Sequence, residues 1–194
     1  MRTIIYLILT FLSTLTYSQV IDWGNFDTKL IDSLVIKEAN IFRNTYSDIP
    51  LNVSPILQER VSIRQTNILV SKQKAFHPNV YHIFEEIKDS LVRESETNNP
   101  GKKNPVGAMH LSEICLKTYR QDTKFTTYEE LAQYLIKLWK SSRAHHNILL
   151  HWGTYGDGVY TLAGVSVQVG NYYWGGDTHT GIYASLHICS TYLK

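Results

Sequence analysis

From Thr127 to Leu150 the chain alternates apolar and polar positions with the rhythm of an amphipathic helix. Leu131, Leu135 and Leu138 recur at spacings of four and three, which puts them on one face, and the same rhythm carries on to Ser142 and His145. Thr126 and Thr127 each have a glutamate three residues on, Glu129 and Glu130, so either hydroxyl can cap the first turn while the carboxylate reaches back to the cap amide. The apolar stripe thus ends in two chemically capable side chains, the kind of local departure expected where a core-facing helix meets a site. The plainer reading is a capping serine and a solvated histidine at a helix end.

The same patterning predicts the other elements. Leu30, Leu34, Ile41 and Phe42, with Ile31 and Val35 beside them, give a helix with one buried face within Asn25 to Tyr46. Ser54-Pro55 opens a second helix, since serine caps and proline is tolerated at the first helical position. Leu57, Val61, Ile68 and Leu69 supply its apolar face, and Pro78 disfavours helix at the residue before it, so the run should end near Phe76-His77 and hold His77 at a helix exit. Val80, Phe84, Ile87 and Leu91 predict a further helix, with His82 on its surface. Glu94 to Gly107, with Asn-Asn-Pro-Gly and Lys-Lys-Asn-Pro, is the most loop-like stretch.

Beyond the Ser/His helix the period changes to two. Val165, Val167 and Val169 alternate, as do Ile182, Ala184, Leu186 and Ile188, and Gly170 to Gly181 between them is full of turn residues. The expectation is an antiparallel C-terminal hairpin. Trp152, Tyr172, Tyr173 and Trp174 flank its turns, either as packing or as a stacking surface for a sugar or lipid.

With 194 residues, 43% hydrophobic and 19% charged, the chain suits a single core. Lys plus Arg number 19 against 17 Asp plus Glu, a balance that argues against nucleic acid as the main partner, because phosphate binding needs a concentrated basic surface. Met1 to Gln19 has a short basic start at Arg2, an apolar run from Ile4 to Leu12 and small residues at Thr16-x-Ser18, which is the make-up of a cleaved export signal. No stretch approaches the roughly 20 apolar residues of a spanning helix. The expected product is therefore residues 20–194, exported to a secreted, periplasmic or extracellular location, with no stable membrane span; an uncleaved segment would be an anchor. Cys115 and Cys189 are the only cysteines, and export permits either a disulfide or two buried free thiols. Nucleotide-binding glycine patterns and paired Cys-x-x-Cys sites are absent.

Trp139-x-x-Ser142-x-x-His145 resembles the W-x-x-S-x-x-H signature of bacterial members of the CAP superfamily (cysteine-rich secretory proteins, antigen 5 and pathogenesis-related group one), also called SCP-like extracellular proteins. Other segments are similar in the same order. Asn40-x-x-Arg43 resembles the N-x-x-R at the end of the superfamily's first helix, although such a pair is also ordinary surface polarity. His77 resembles the first of two characteristic histidines. Ser112-Glu113-Ile114 partly resembles G-E-N or A-E-N-I, lacking the glycine and asparagine, and is otherwise a solvated glutamate at a turn. Gly156, Gly158 and Ala163-Gly164-Val165 resemble the glycine-rich lead into the "GVG" strand. The resemblance covers nearly all of the expected domain, with residues 79–107 as an inserted helix and loop. It implies an α+β fold, a three-layer α-β-α sandwich with a mainly antiparallel central sheet. It also implies a shared cleft lined by His77, Glu113, Ser142 and His145, with Ser142 where animal and plant members carry a second glutamate.

Two neutral imidazoles and one carboxylate are the donor set of an open zinc site, so the expected metal ligands are His77, His145 and Glu113. Without the second carboxylate, Zn2+ or another divalent cation should be held weakly. His146 is a further candidate, but adjacent helical residues point about 100° apart, and the stripe favours His145. A hydrolase is the alternative, an esterase or protease with Ser142 as nucleophile, His145 as base and Glu113 orienting the ring. Against it stand the missing G-x-S-x-G elbow and the tendency of a helical serine to bond its own backbone. The superfamily is known more for binding and secretion than for one reaction. The leading expectation is a non-enzymatic binding module whose partner is a small ligand, a lipid or an envelope component.

Overall fold

In the computed structural model, which describes residues 18–77, 81–98, 110–121, 124–150 and 160–191, helices pack around a four-stranded mixed sheet, consistent with the α+β class. Helix α1 (Thr28–Asn44) is followed by a short strand β1 (Asn52–Val53) and by α2 (Pro55–Leu57), which continues through a π turn (Gln58–Ser62) into α3 (Ile63–Lys72). Then come α4 (Tyr81–Asn98), β2 (His110–Tyr119), α5 (Tyr128–Ser141), α6 (Arg143–Leu149) and the hairpin strands β3 (Tyr160–Trp174) and β4 (Asp177–Thr191). The strand order is β1-β3-β4-β2, with β1 parallel to β3 and the other pairs antiparallel.

The hairpin is longer than its turn-rich middle suggests. Pairing runs without interruption from Tyr160 opposite Thr191 to Trp174 opposite Asp177, and only Gly175-Gly176 turn the chain. Their φ values of +64° and +93° explain why glycine stands at both positions of this two-residue turn. The expectation of an extended turn region over Gly170 to Gly181 is thus corrected. Tyr172 faces His179 and Tyr173 faces Thr178, and such aromatic and β-branched cross-strand pairs favour a ladder over a loop.

Side-chain alternation divides the sheet into two different faces. On one face Ile114 and Leu116 of β2, Ala163, Val165 and Val167 of β3, and Ile182, Ala184, Leu186 and Ile188 of β4 join Ile31, Val35 and Ala39 of α1 and Leu131, Leu135 and Trp139 of α5 in the largest apolar cluster. On the other face two cross-strand rows are polar: Gly164, His187 and Glu113 form one, Ser166, Ser185 and Cys115 the next. The π turn and α3 cover these rows. A Cβ at position 164 would lie 2.6 Å from the Gln58 amide nitrogen and 2.7 Å from Ser62 Oγ, so glycine there is what admits the π turn so close to β3. Where β1 ends, Asp32 of α1 takes over part of the β3 edge, its Oδ1 accepting from the Val167 amide at 2.7 Å.

Other boundaries follow local chemistry. Ser54 caps α2 through the Leu57 amide, with Pro55 next, as the sequence predicts. The helix ends at Lys72, with Gln73 left-handed at φ +50°, so His77 sits in the irregular segment beyond α3 instead of at its exit. Helix α4 runs on to Asn98 where the sequence suggests a loop from Glu94; Glu94 accepts from the Ser54 hydroxyl at 2.5 Å, and Ile83, Phe84, Ile87 and Leu91 pack on Leu57, Val61 and Leu162. His82 is exposed, as expected. The remainder of that loop, Trp152, Gly156 and Gly158 lie outside the described residues, as does the expected export signal apart from Ser18 and Gln19. Val20 bridges to Thr127, and Ile21 is buried. Among the described residues no helix is long and apolar enough to cross a membrane. Cys115 and Cys189 are free buried thiols; the register sets Cys115 opposite Ser185 and Cys189 opposite Leu111, out of step with one another.

Candidate functional site

Thr127 is the residue that caps α5, and Glu130 completes the reciprocal pair by accepting from the Thr127 amide. The helix does not run through to Leu150. Ser141 Oγ donates to the Leu138 carbonyl at 2.6 Å, the acceptor that the Ser142 amide would otherwise use, and that amide turns to Trp139 O instead. Ser142 is extended at φ −94° and ψ 121°, and α6 restarts after it. The restart fixes the direction in which α6 presents His145.

Arg43 anchors the far end of α6. It is fully buried, with Nε donating to Ile49 O at 2.7 Å, Nη1 to Leu149 O at 2.5 Å, and Nη2 paired with Asp48 at 3.1 Å. Asn40 clasps the Leu51 backbone through both its amide nitrogen and its oxygen. The Asn40-x-x-Arg43 pair is therefore internal bracing and not surface polarity.

Three of the residues singled out in the sequence come together from distant segments. His77 Nδ1 lies 3.6 Å from Glu113 Oε1, and the His77 and His145 rings meet edge-on with centroids 6.3 Å apart. Ser142 stands one turn before His145, but among the described residues its hydroxyl makes no hydrogen bond to that ring. His146 turns the other way, onto Phe42 and Tyr46 with ring centroids 5.4 and 6.1 Å away, where it lines a groove of about 420 Å³.

Glu113 is in the middle of β2 and its side chain is 14% exposed, so it is not a glutamate of a solvated turn. One carboxylate oxygen is the meeting point. Oε1 accepts from Gln65 Nε2 and from Cys115 Sγ at 3.0 Å, and His187 Nε2 stands 3.9 Å away. Gln65 Nε2 also reaches Cys115 Sγ at 3.1 Å. His187 is wholly buried; its Nδ1 is 2.9 Å from Ser62 Oγ on the π turn, while Nε2 has no hydrogen-bond partner. His77, half exposed, closes the solvent side.

Burial governs the electrostatics. It pushes the Glu113 carboxyl above its ordinary range against the opposing pull of Cys115, His77 and Gln65, and it pushes the Cys115 thiol up, with the Glu113 charge adding to the effect. It pulls His187 down to about 3, and pulls His145 down as well, with the nearby His77 contributing to both. His187 is therefore a neutral imidazole at pH 7, and its 3.9 Å approach to Glu113 is proximity without an ion pair.

His77, Glu113 and Cys115 offer nitrogen, oxygen and sulfur atoms that all lie within 4.8 Å of one another, a group that could hold a metal ion. Of the expected ligands, His77 and Glu113 belong to this group, and His145 flanks it against His77. Cys115, Gln65 and His187 carry weight that sequence reasoning did not assign. A signal for His187 exists: the apolar alternation Ile182, Ala184, Leu186, Ile188 leaves Ser185 and His187 on the opposite face, polar residues aimed at a second packed layer. No protein-family model and no curated protein matches the chain, so the likeness to the CAP superfamily stands on the residues quoted for it.

Proposed function

We propose that this chain is an exported CAP-like domain that works as a non-enzymatic binding module, with a cleft that takes up a divalent cation, zinc foremost. The observation that carries the reading is the convergence of His77, Glu113 and His145, from the segment after α3, from mid-β2 and from α6, with separations of 3.6 Å and 6.3 Å between neighbours. Two imidazoles and a largely buried carboxylate suit an open cation site at the mouth of a cleft. In this reading the helices on either side of the sheet are the outer layers of an α-β-α sandwich, and the two antiparallel pairs out of three are its mainly antiparallel centre. A small ligand, lipid or envelope component would meet the cleft from the solvent side, where His77 is exposed.

Calorimetric titration of zinc into the wild type and a His77→Ala, His145→Ala double variant, each first shown to be folded by circular dichroism, tests the site. Wild type should bind and the double variant should lose most of its affinity. Equal affinities would overturn the metal reading. N-terminal sequencing of exported material, expected to begin at about Gln19 or Val20, tests the export step; intact Met1 protein in the membrane fraction would point to an anchor.

A further inference from the structure

We propose that the ion sits deeper than the cleft mouth, on the polar face of the sheet, held by Cys115 and His187 together with Glu113 and His77, and that this sulfur-bearing set selects zinc-like ions over magnesium and calcium. The inference rests on the metal reading above and names donors that the CAP likeness does not supply.

Strand register builds the set. Glu113 pairs with His187 across β2 and β4, and Cys115, two residues on, projects from the same face. Tetrahedral zinc, with bonds of about 2.0–2.1 Å to nitrogen or oxygen and about 2.3 Å to sulfur, sets its ligand atoms roughly 3.3–3.8 Å apart. Around Glu113 Oε1 the observed separations are 3.0 Å to Cys115 Sγ, 3.6 Å to His77 Nδ1 and 3.9 Å to His187 Nε2. The ligand atoms of His77, Glu113 and Cys115 also lie within 4.8 Å of one another, so they form the core of the shell, whereas His187 stands outside that group and closes the shell only if its ring swings from Glu113 toward the other two.

The orphaned nitrogen is the second, independent observation. His187 Nε2 is buried without a hydrogen-bond partner and stands against Glu113, while Nδ1 is engaged by Ser62 Oγ. With the ring proton on Nδ1 and donated to Ser62, the bare lone pair is on Nε2, the arrangement in which protein histidines ligate metals. The π turn exists at the place where Ser62 must come this close to the sheet, opposite Gly164, and π turns are frequent at functional sites. Gln65, by donating to Glu113 Oε1, is a positioning residue that orients the carboxylate. Thiolate and imidazole donors favour zinc, cobalt or copper(I), whereas magnesium and calcium require oxygen shells that this site does not offer.

Cobalt(II) serves as the spectroscopic probe and zinc as the calorimetric one, on the full exported chain with its thiols reduced. Wild type should show a near-ultraviolet sulfur-to-cobalt charge-transfer band and the intense visible bands of a tetrahedral site. Cys115→Ser should abolish the former and weaken zinc binding by at least about tenfold. His187→Gln should weaken binding similarly; if it does not fold, the sulfur band of the wild type decides alone. Magnesium should give no binding heat. Zinc affinity that survives Cys115→Ser unchanged, with no sulfur band in the wild type but with loss in the His77→Ala, His145→Ala variant, would put the ion at the cleft mouth and overturn this inference while leaving the metal reading intact. No zinc binding by the wild type would overturn both.

Discussion

The two faces of the sheet are made from the same three strands and are packed by different rules. Toward α1 and α5, every inward position of β3 and β4 from Ala163 to Val167 and from Ile182 to Ile188 is apolar, and the face is sealed by fully buried Leu131, Leu135 and Trp139. Toward the π turn, the intervening positions are Gly164, Ser166, Tyr183, Ser185 and His187, and hydroxyls do much of the joining: Thr66 and Ser185 lie 2.8 Å apart and each is 3.0 Å from the Ser62 carbonyl. An apolar face stabilises in proportion to the area it removes from water and tolerates no loss of volume. A buried polar face adds little net stability, since its hydrogen bonds replace those to water, but it fixes geometry and leaves penalties wherever a group is unpartnered. The first face holds the molecule together and the second holds a chemical arrangement.

That contrast can be broken most severely on the apolar side. Trp139→Ala, at a fully buried site, should cost about 3–5 kcal/mol, read as a lowered urea midpoint with little change in slope. A loss under 1 kcal/mol would mean that α5 is not the seal of that face. Next comes Gly164→Ala. Its new Cβ would meet backbone at 2.6 Å, so the π turn must shift, at about 1–3 kcal/mol, and metal binding should fall with it because Ser62 would be carried off His187. Unchanged stability would show that the close approach is slack.

The polar face should also reveal itself in the pH dependence of stability. His187 has a folded pKa near 3, below its unfolded value of 6.5, so its contribution is complete above pH 6.5 and is lost as the pH falls toward 3, by at most about 1.4 kcal/mol per pH unit. His187→Gln should flatten that slope in denaturation series at several pH values. Asp32, raised from 3.8 to about 7 mainly by burial, has the opposite sign: it is most favourable to folding below pH 3.8 and its contribution is lost as the pH rises through 7, a trend that Asp32→Asn should remove. If neither variant alters the profile, burial does not control these groups. The smallest effect is expected at the cleft mouth. Ser142→Ala should leave zinc affinity within about twofold, because a neutral hydroxyl is a poor zinc ligand; a large loss would return Ser142 to the site, and loss of any ester or peptide hydrolysis would revive it as a nucleophile.

Local chemistry made a good part of this legible. The Thr127 and Glu130 cap, the Ser54-Pro55 start and the alternating hairpin are short-range patterns whose energetics are settled within a few residues, and they stand where the sequence puts them. The errors cluster where local and distant forces compete. Gly170 and Gly181 look like turn residues until each is seen opposite the other in a ladder, and Glu94 looks like the start of a loop until Ser54 bonds it. His77 and His145 could be named from motif spacing, but their meeting depends on the break at Ser142 and on Arg43 reaching Leu149.

By itself, the sequence determined periodicity, caps and which side chains are capable of chemistry, because those depend on neighbours along the chain. Tertiary structure alone decided that Glu113 lies in a strand opposite His187, that Cys115 shares its face, and that His187 Nε2 is buried without a partner beside them. Register and burial are set by contacts between segments as far apart as β2 and β4, and no short-range pattern encodes which residue on one strand will stand across from which on the other.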